Sequence, residues 1–247
     1  MEKCFVACQS QSTRDLFNDK SRLYAYPSKP LLPTNNEFII IDSGAYGLSQ
    51  QGKEIDAEYM FKLSNFYKKY KASNKFPVLA IAPDKFLDPV KSMSNYKFWM
   101  QYIGLSVVPV IQFTKNKKID LMNALKQIDF YLNFKTDNQI YPNPCKIFAI
   151  SNPSLTAKEA KSIKYIIDYM RKKGVEWIHN LGAGWNTNDC RDWFDIGFDS
   201  IDSISYYTDA ERGIAWRPFS YQTNKTNKTV KELVLHNYKL ANSCLNN

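Results

Sequence analysis

Short apolar, β-branched runs recur along the chain, and each is followed by a segment in which apolar residues return every three or four positions among polar ones. The first pattern suits a buried strand and the second one face of a helix, so their alternation predicts βα units and a parallel sheet. The runs fall at residues 3–8, 37–41, 78–82, 106–111, 146–150, 176–180 and 198–201, with a weaker eighth at 213–216. Helices are predicted at about 56–72, 88–103, 117–133, 156–173, 188–195 and 229–241. The helix after Thr156 carries the fullest signals. Thr156 and Glu159 have capping-box spacing, Ile163, Ile166, Ile167 and Met170 form one stripe, and Gly174 supplies a stop.

A continuous run such as Phe38-Ile39-Ile40-Ile41 implies burial on both faces of the sheet, as in a barrel or a doubly wound fold. Seven or eight repeats favour a (β/α)8 TIM-type barrel, and 247 residues match the roughly 250 such a barrel needs. The expectation is one domain. Residues 10–36, with three prolines, read as an irregular excursion, and 220–229 as a second polar stretch.

Composition narrows the surroundings. No run approaches the roughly 20 apolar residues that span a bilayer, and the first eight residues are too short an apolar stretch for a secretory signal. A cytoplasmic protein without membrane partners is expected. Five scattered cysteines lack CxxC spacing and do not suggest a complete disulfide framework; with two histidines in the chain, no zinc site is predicted. The net charge of +9 suits a polyanionic partner, although a solvated lysine surface gives the same number.

In a barrel the loops after the strands converge on one mouth, so strand ends are where reactive groups gather. Those ends read Asp42-Ser43-Gly44-Ala45-Tyr46-Gly47, Ala82-Pro83-Asp84, Val110-Ile111-Gln112, Ser151-Asn152-Pro153, His179-Asn180-Leu181-Gly182 and Asp199-Ser200-Ile201-Asp202. A single Asp after a strand is commonly a helix cap or turn former; several at one mouth point to chemistry.

In this order the blocks resemble those of tRNA-guanine transglycosylases, which read approximately DSGGFQ, DEC, VQGG, GGLAVGE, MGVGTP and FDCVLPTR. The likeness runs from about residue 38 to 205. It implies two displacements at the sugar C1′. Asp202 would be the nucleophile and Asp42 the general acid/base. Asp84 would grip the N1 and N2 edge of guanine and Gln112 its O6, while Tyr46 and Leu181 would sandwich the ring. Ser43, Gly44 and Gly182 would complete the base pocket. Neither cofactor nor metal is implied.

Two departures from the family pattern matter. Ser151 and Asn152 replace the paired glycines of GGLAVGE, which affects recognition of the 7-substituent, and the CxC and CxxC zinc-binding insert has no counterpart here. A pared-down barrel is similar to the viral and bacterial branch that places 7-deazaguanines in DNA. The implied partners are DNA and a free base such as preQ0, in a protein that a virus could encode. Arg212, Arg217, Lys115 and Lys117 are the candidates for phosphate contacts. The alternatives are a relative acting on tRNA, an inactive barrel that binds nucleic acid, and a sugar hydrolase using paired carboxylates.

Overall fold

The structure is a computed structural model that describes residues 4–7, 22–30, 38–71, 78–114, 120–135, 146–151, 157–182, 187–203, 205–217, 220–225 and 228–243. Its elements are β1 (Cys4–Ala7), β2 (Arg22–Ala25), β3 (Ile39–Asp42), α1 (Ala45–Gln50), α2 (Ala57–Lys71), β4 (Val78–Ala80), α3 (Pro89–Tyr102), β5 (Val110–Ile111), α4 (Leu121–Asn133), β6 (Ile147–Ser151), α5 (Ala157–Lys172), β7 (Trp177–Leu181), α6 (Thr187–Ile196), β8 (Ser200–Ser203), α7 (Ser205–Glu211), β9 (Ile214–Arg217), β10 (Ser220–Lys225) and α8 (Val230–Ser243).

Eight strands form one parallel sheet in the order β4-β3-β2-β1-β8-β7-β6-β5. Its two edges meet. Ile81 just beyond β4 bridges in parallel to Val108 just before β5, with Ala82 N donating to Val108 O at 2.8 Å and Val108 N to Ala80 O at 2.7 Å.

Side chains alternate across each strand, and the core divides accordingly. Leu23, Ile40, Ile81, Val108, Val110 and Ala149 pack together on one face. Their neighbours Tyr24, Ile39, Ile41, Ala80, Phe148, Ile150, Ile178 and Ile201 pack on the other, against helical residues such as Leu63, Trp99, Ile128, Ile163 and Met170. Each fully buried Ile contributes about 1.5–3 kcal/mol by leaving water.

The predicted helices form, and their ends have local causes. Asp88 caps α3 by accepting from Lys91 N at 2.9 Å with Pro89 in the first turn, and Asp120 caps α4 through Asn123 N at 3.2 Å. Gly174, at φ 88°, ends α5 as expected. Thr156 lies outside the described residues; a capping box does form at α8, where Thr229 and Glu232 exchange bonds.

Two expectations need correction. The eighth strand of the sheet is β2, inside the stretch read as irregular, and not residues 213–216. The latter become β9, which pairs antiparallel with β10 in a separate hairpin that occupies part of the second polar stretch. Asn237 of α8 ties this hairpin down: it accepts from Trp216 N at 2.8 Å and donates to Ile214 O at 3.1 Å and Tyr206 O at 3.3 Å. Trp216 is therefore core. Among the described residues no helix is long and apolar enough to cross a membrane.

Candidate active site

Strand alternation carries one face of the sheet from apolar packing to polar chemistry within two residues. Ile40 is followed at the next position on its face by Asp42, Val110 by Gln112, Ala149 by Ser151, and Ser200 by Asp202. The charges of Asp84 and Asp202 both act on Asp42. The structure thus brings the predicted carboxylates together.

Asp42 ends β3 and turns directly into α1. Its Oδ2 accepts from Gly44 N at 3.1 Å, while Tyr59 Oη donates to Ser43 O at 2.8 Å. Gly44 sits at φ 78°, and a Cβ there would lie 2.6 Å from Tyr26 O and 2.9 Å from Tyr59 Oη, so the turn excludes any side chain. Burial, then the negative charge of Asp84, push the Asp42 carboxyl up to about 7; the Gly44 N–H bond opposes this only in part. Asp42 therefore both holds and releases a proton near neutrality.

Asp84 is buried between two donors, Ser43 Oγ at 3.0 Å on Oδ1 and the Gln112 side-chain amide on Oδ2. Gln112 is held in turn. Its backbone N donates to Gln127 Oε1 at 2.9 Å, Gln127 Nε2 returns a bond to Gln112 O at 2.9 Å, and Gln112 Oε1 accepts from Leu87 N at 3.1 Å. Leu87 has φ 59°, an unfavourable conformation for a side-chain-bearing residue, in the turn that carries Asp84. Burial pushes Asp84 up to about 6, against the two donors.

Asp202 is anchored differently. Its Oδ1 receives Gly182 N at 2.8 Å and faces His179 Nε2 at 3.0 Å, and Oδ2 has no protein partner among the described residues. His179 Nδ1 lies 2.8 Å from Ser200 Oγ, and that oxygen accepts from Trp177 Nε1 at 2.9 Å. His179 was not predicted to contribute. The register sets His179 opposite Ser200, two residues before Asp202 on the same face, a relation that spacing along the chain does not carry.

Asp199, three residues earlier, serves the scaffold. It accepts from Ile178 N at 2.6 Å and pairs with Arg171 at 2.5 Å.

The other predicted residues are less uniformly placed. Tyr46, on α1, is 57% exposed and meets Phe86 edge-on at 5.1 Å between ring centres. Phe86 was overlooked as a rim aromatic. Ser151 is buried at the end of β6, and Leu181 packs against the inner apolar cluster. Arg212 is exposed near the end of α7, 3.8 Å from Asp209. Asn152, Lys115 and Lys117 lie outside the described residues, as does the side chain of Arg217. Tyr67, Tyr70 and Phe113 are buried in the core.

Among the described residues, no Lys or Arg pairs with Asp42, Asp84 or Asp202, and no group of three His, Cys, Asp or Glu is arranged to hold a metal. The chain matches no protein-family model and no curated protein sequence.

Proposed function

We propose that the chain is a base-exchanging glycosyltransferase that replaces guanine in DNA with a 7-deazaguanine such as preQ0, on a single closed (β/α)8 barrel. The barrel reading is supported by the sheet order together with the Ile81–Val108 bridge between its edges. One observation carries the chemistry: Asp202 has one oxygen held by donors and the other without a protein partner among the described residues, in a site shared with a carboxyl that burial pushes up to about 7. The ordered likeness to transglycosylase blocks supports the same assignment.

In the first half-reaction Asp202 Oδ2 bonds to C1′ as the C1′–N9 bond breaks, and the departing guanine takes the Asp42 proton. In the second, N9–H of the incoming base gives its proton to the Asp42 carboxylate while N9 bonds to C1′ and the C1′–Oδ2 bond breaks. Both carboxyl groups return to their starting states. Asp84 accepts the N1–H and N2–H of guanine in place of its present donors, which releases the Gln112 amide toward O6. Tyr46 and Leu181 flank the ring, and the extruded base costs a few kcal/mol of lost stacking that phosphate contacts offset in part. The net charge of +9 suits that partner.

The test is incubation of purified protein with labelled guanine-containing DNA or tRNA and preQ0, following guanine release and base incorporation. Incorporation into DNA is the expected result. Incorporation into tRNA alone would reassign the substrate, and no exchange with either would overturn the reading.

A further inference from the structure

We infer that His179 is a positioning residue, held as its Nε2–H tautomer between Ser200 and Asp202, which holds one oxygen of Asp202 and assists that carboxylate when it departs from the sugar. The inference rests on the exchange reading above and assigns a device within that site.

The tautomer follows from donor and acceptor roles. Trp177 Nε1–H has no acceptor capacity, so at 2.9 Å it must donate to Ser200 Oγ. Asp202 Oδ1, which as a carboxylate oxygen only accepts, lies 3.0 Å from Nε2 and so calls for the ring proton there. A neutral ring then accepts at Nδ1 from the Ser200 hydroxyl, 2.8 Å away. Ser200 is fully buried and His179 is 2% exposed, so water does not compete for these bonds.

Two donors, Nε2–H and Gly182 N–H, therefore converge on Oδ1. Their pull fixes the carboxylate plane and leaves Oδ2 to attack C1′. Once the C1′–Oδ2 bond has formed, Oδ1 is the carbonyl oxygen of a glycosyl ester. When N9 of the incoming base bonds to C1′, the electron pair of the breaking C1′–Oδ2 bond returns to the carboxylate, and negative charge grows on Oδ1. Donors there stabilise the leaving carboxylate more than the ester. They also temper the free nucleophile, so losing them slows breakdown of the covalent intermediate more than its formation.

The experiment measures formation and chase-driven decay of the protein–DNA adduct separately, in wild type, His179→Leu, His179→Gln and Ser200→Ala. His179→Leu is expected to slow decay about 10- to 100-fold, the effect of losing a hydrogen bond to a developing charge, while formation changes by less. Adduct then accumulates. His179→Gln, which keeps an N–H near the Nε2 position, should restore much of the decay rate. Equal slowing of both steps, as a purely structural role would give, or no change in either, would overturn the inference and leave the exchange reading intact. Wild type that forms no adduct with DNA or tRNA would remove both. Nitrogen NMR of the imidazole supplies a readout without turnover. Wild type should show the Nε2–H form, and Ser200→Ala should move the Nδ1 resonance as that nitrogen loses its donor; a wild-type ring protonated on Nδ1 would overturn the inference.

Discussion

Gln112 donates its side-chain amide to Asp84 and, through its carbonyl oxygen, holds the Leu87 N–H at 3.1 Å in the turn that carries Asp84. One side chain thus sets both the acceptor and its support. Gln112→Ala is expected to weaken binding of the free base at least tenfold and to cost about 1–3 kcal/mol of stability, because a buried carboxylate and a backbone N–H each lose a partner. Calorimetric titration with preQ0 and denaturant unfolding measure the two effects. Unchanged base affinity would show that the guanine edge is read elsewhere.

Asp42 gives a pH dependence with a definite sign. Its carboxyl is raised from 3.8 to about 7, so between those values the folded chain binds more protons than the unfolded chain. The neutral form's contribution to stability is complete below about 4 and is lost as pH rises through 7. Asp42→Asn should therefore stabilise the protein at pH 8, by on the order of 1–3 kcal/mol, and change little at pH 4. The same substitution should abolish exchange. Unfolding midpoints at the two pH values decide the first claim, and a variant with equal gains at both would place the proton elsewhere.

Gly44 is the tightest point of the site. Gly44→Ala combines a left-handed backbone with a Cβ 2.6 Å from Tyr26 O, and is expected to cost about 2–4 kcal/mol. Gly47, three residues on, has open space at its Cβ, and Gly47→Ala should be nearly neutral or mildly stabilising within α1. Thermal unfolding of the pair separates a steric requirement from simple loop flexibility.

The sheet was legible where its strands are apolar on both faces, as at Ile39–Ile41, and where helices have long periodic stripes, as at Ile163 to Met170. β2 was hidden by its length of four residues and by Arg22 at its head. That side chain is fully buried, with the Tyr24 ring 5.8 Å away. Burial of a charge gives no apolar signal. Residues 213–216 had the apolar signal but pair with β10 in a separate hairpin, where Asn237 of α8 takes Trp216 N and Ile214 O. Asp42, Asp84, Gln112 and Asp202 were readable as strand ends. The contact of His179 with Ser200 and Asp202 was not, since it depends on the register that sets His179 opposite Ser200.

Asp199, just before β8, and Asp202, within it, offer a final contrast, because their surroundings assign them opposite duties. Asp199 accepts a 2.6 Å bond from Ile178 N and pairs with Arg171, which also donates to Val175 O at 3.1 Å and Gly197 O at 3.2 Å. It locks the end of α5 to the start of β7 and β8. Asp199→Asn weakens that junction, with an expected loss of about 1–3 kcal/mol and near-normal exchange per folded molecule. Asp202 is buried without a cation among the described residues, so its charge adds little to stability. Asp202→Asn retains an acceptor for Gly182 and His179 and should leave stability unchanged or raised, while eliminating adduct and exchange. Parallel unfolding curves and adduct gels for the two variants test the division. Covalent adduct persisting in Asp202→Asn would remove that residue as nucleophile.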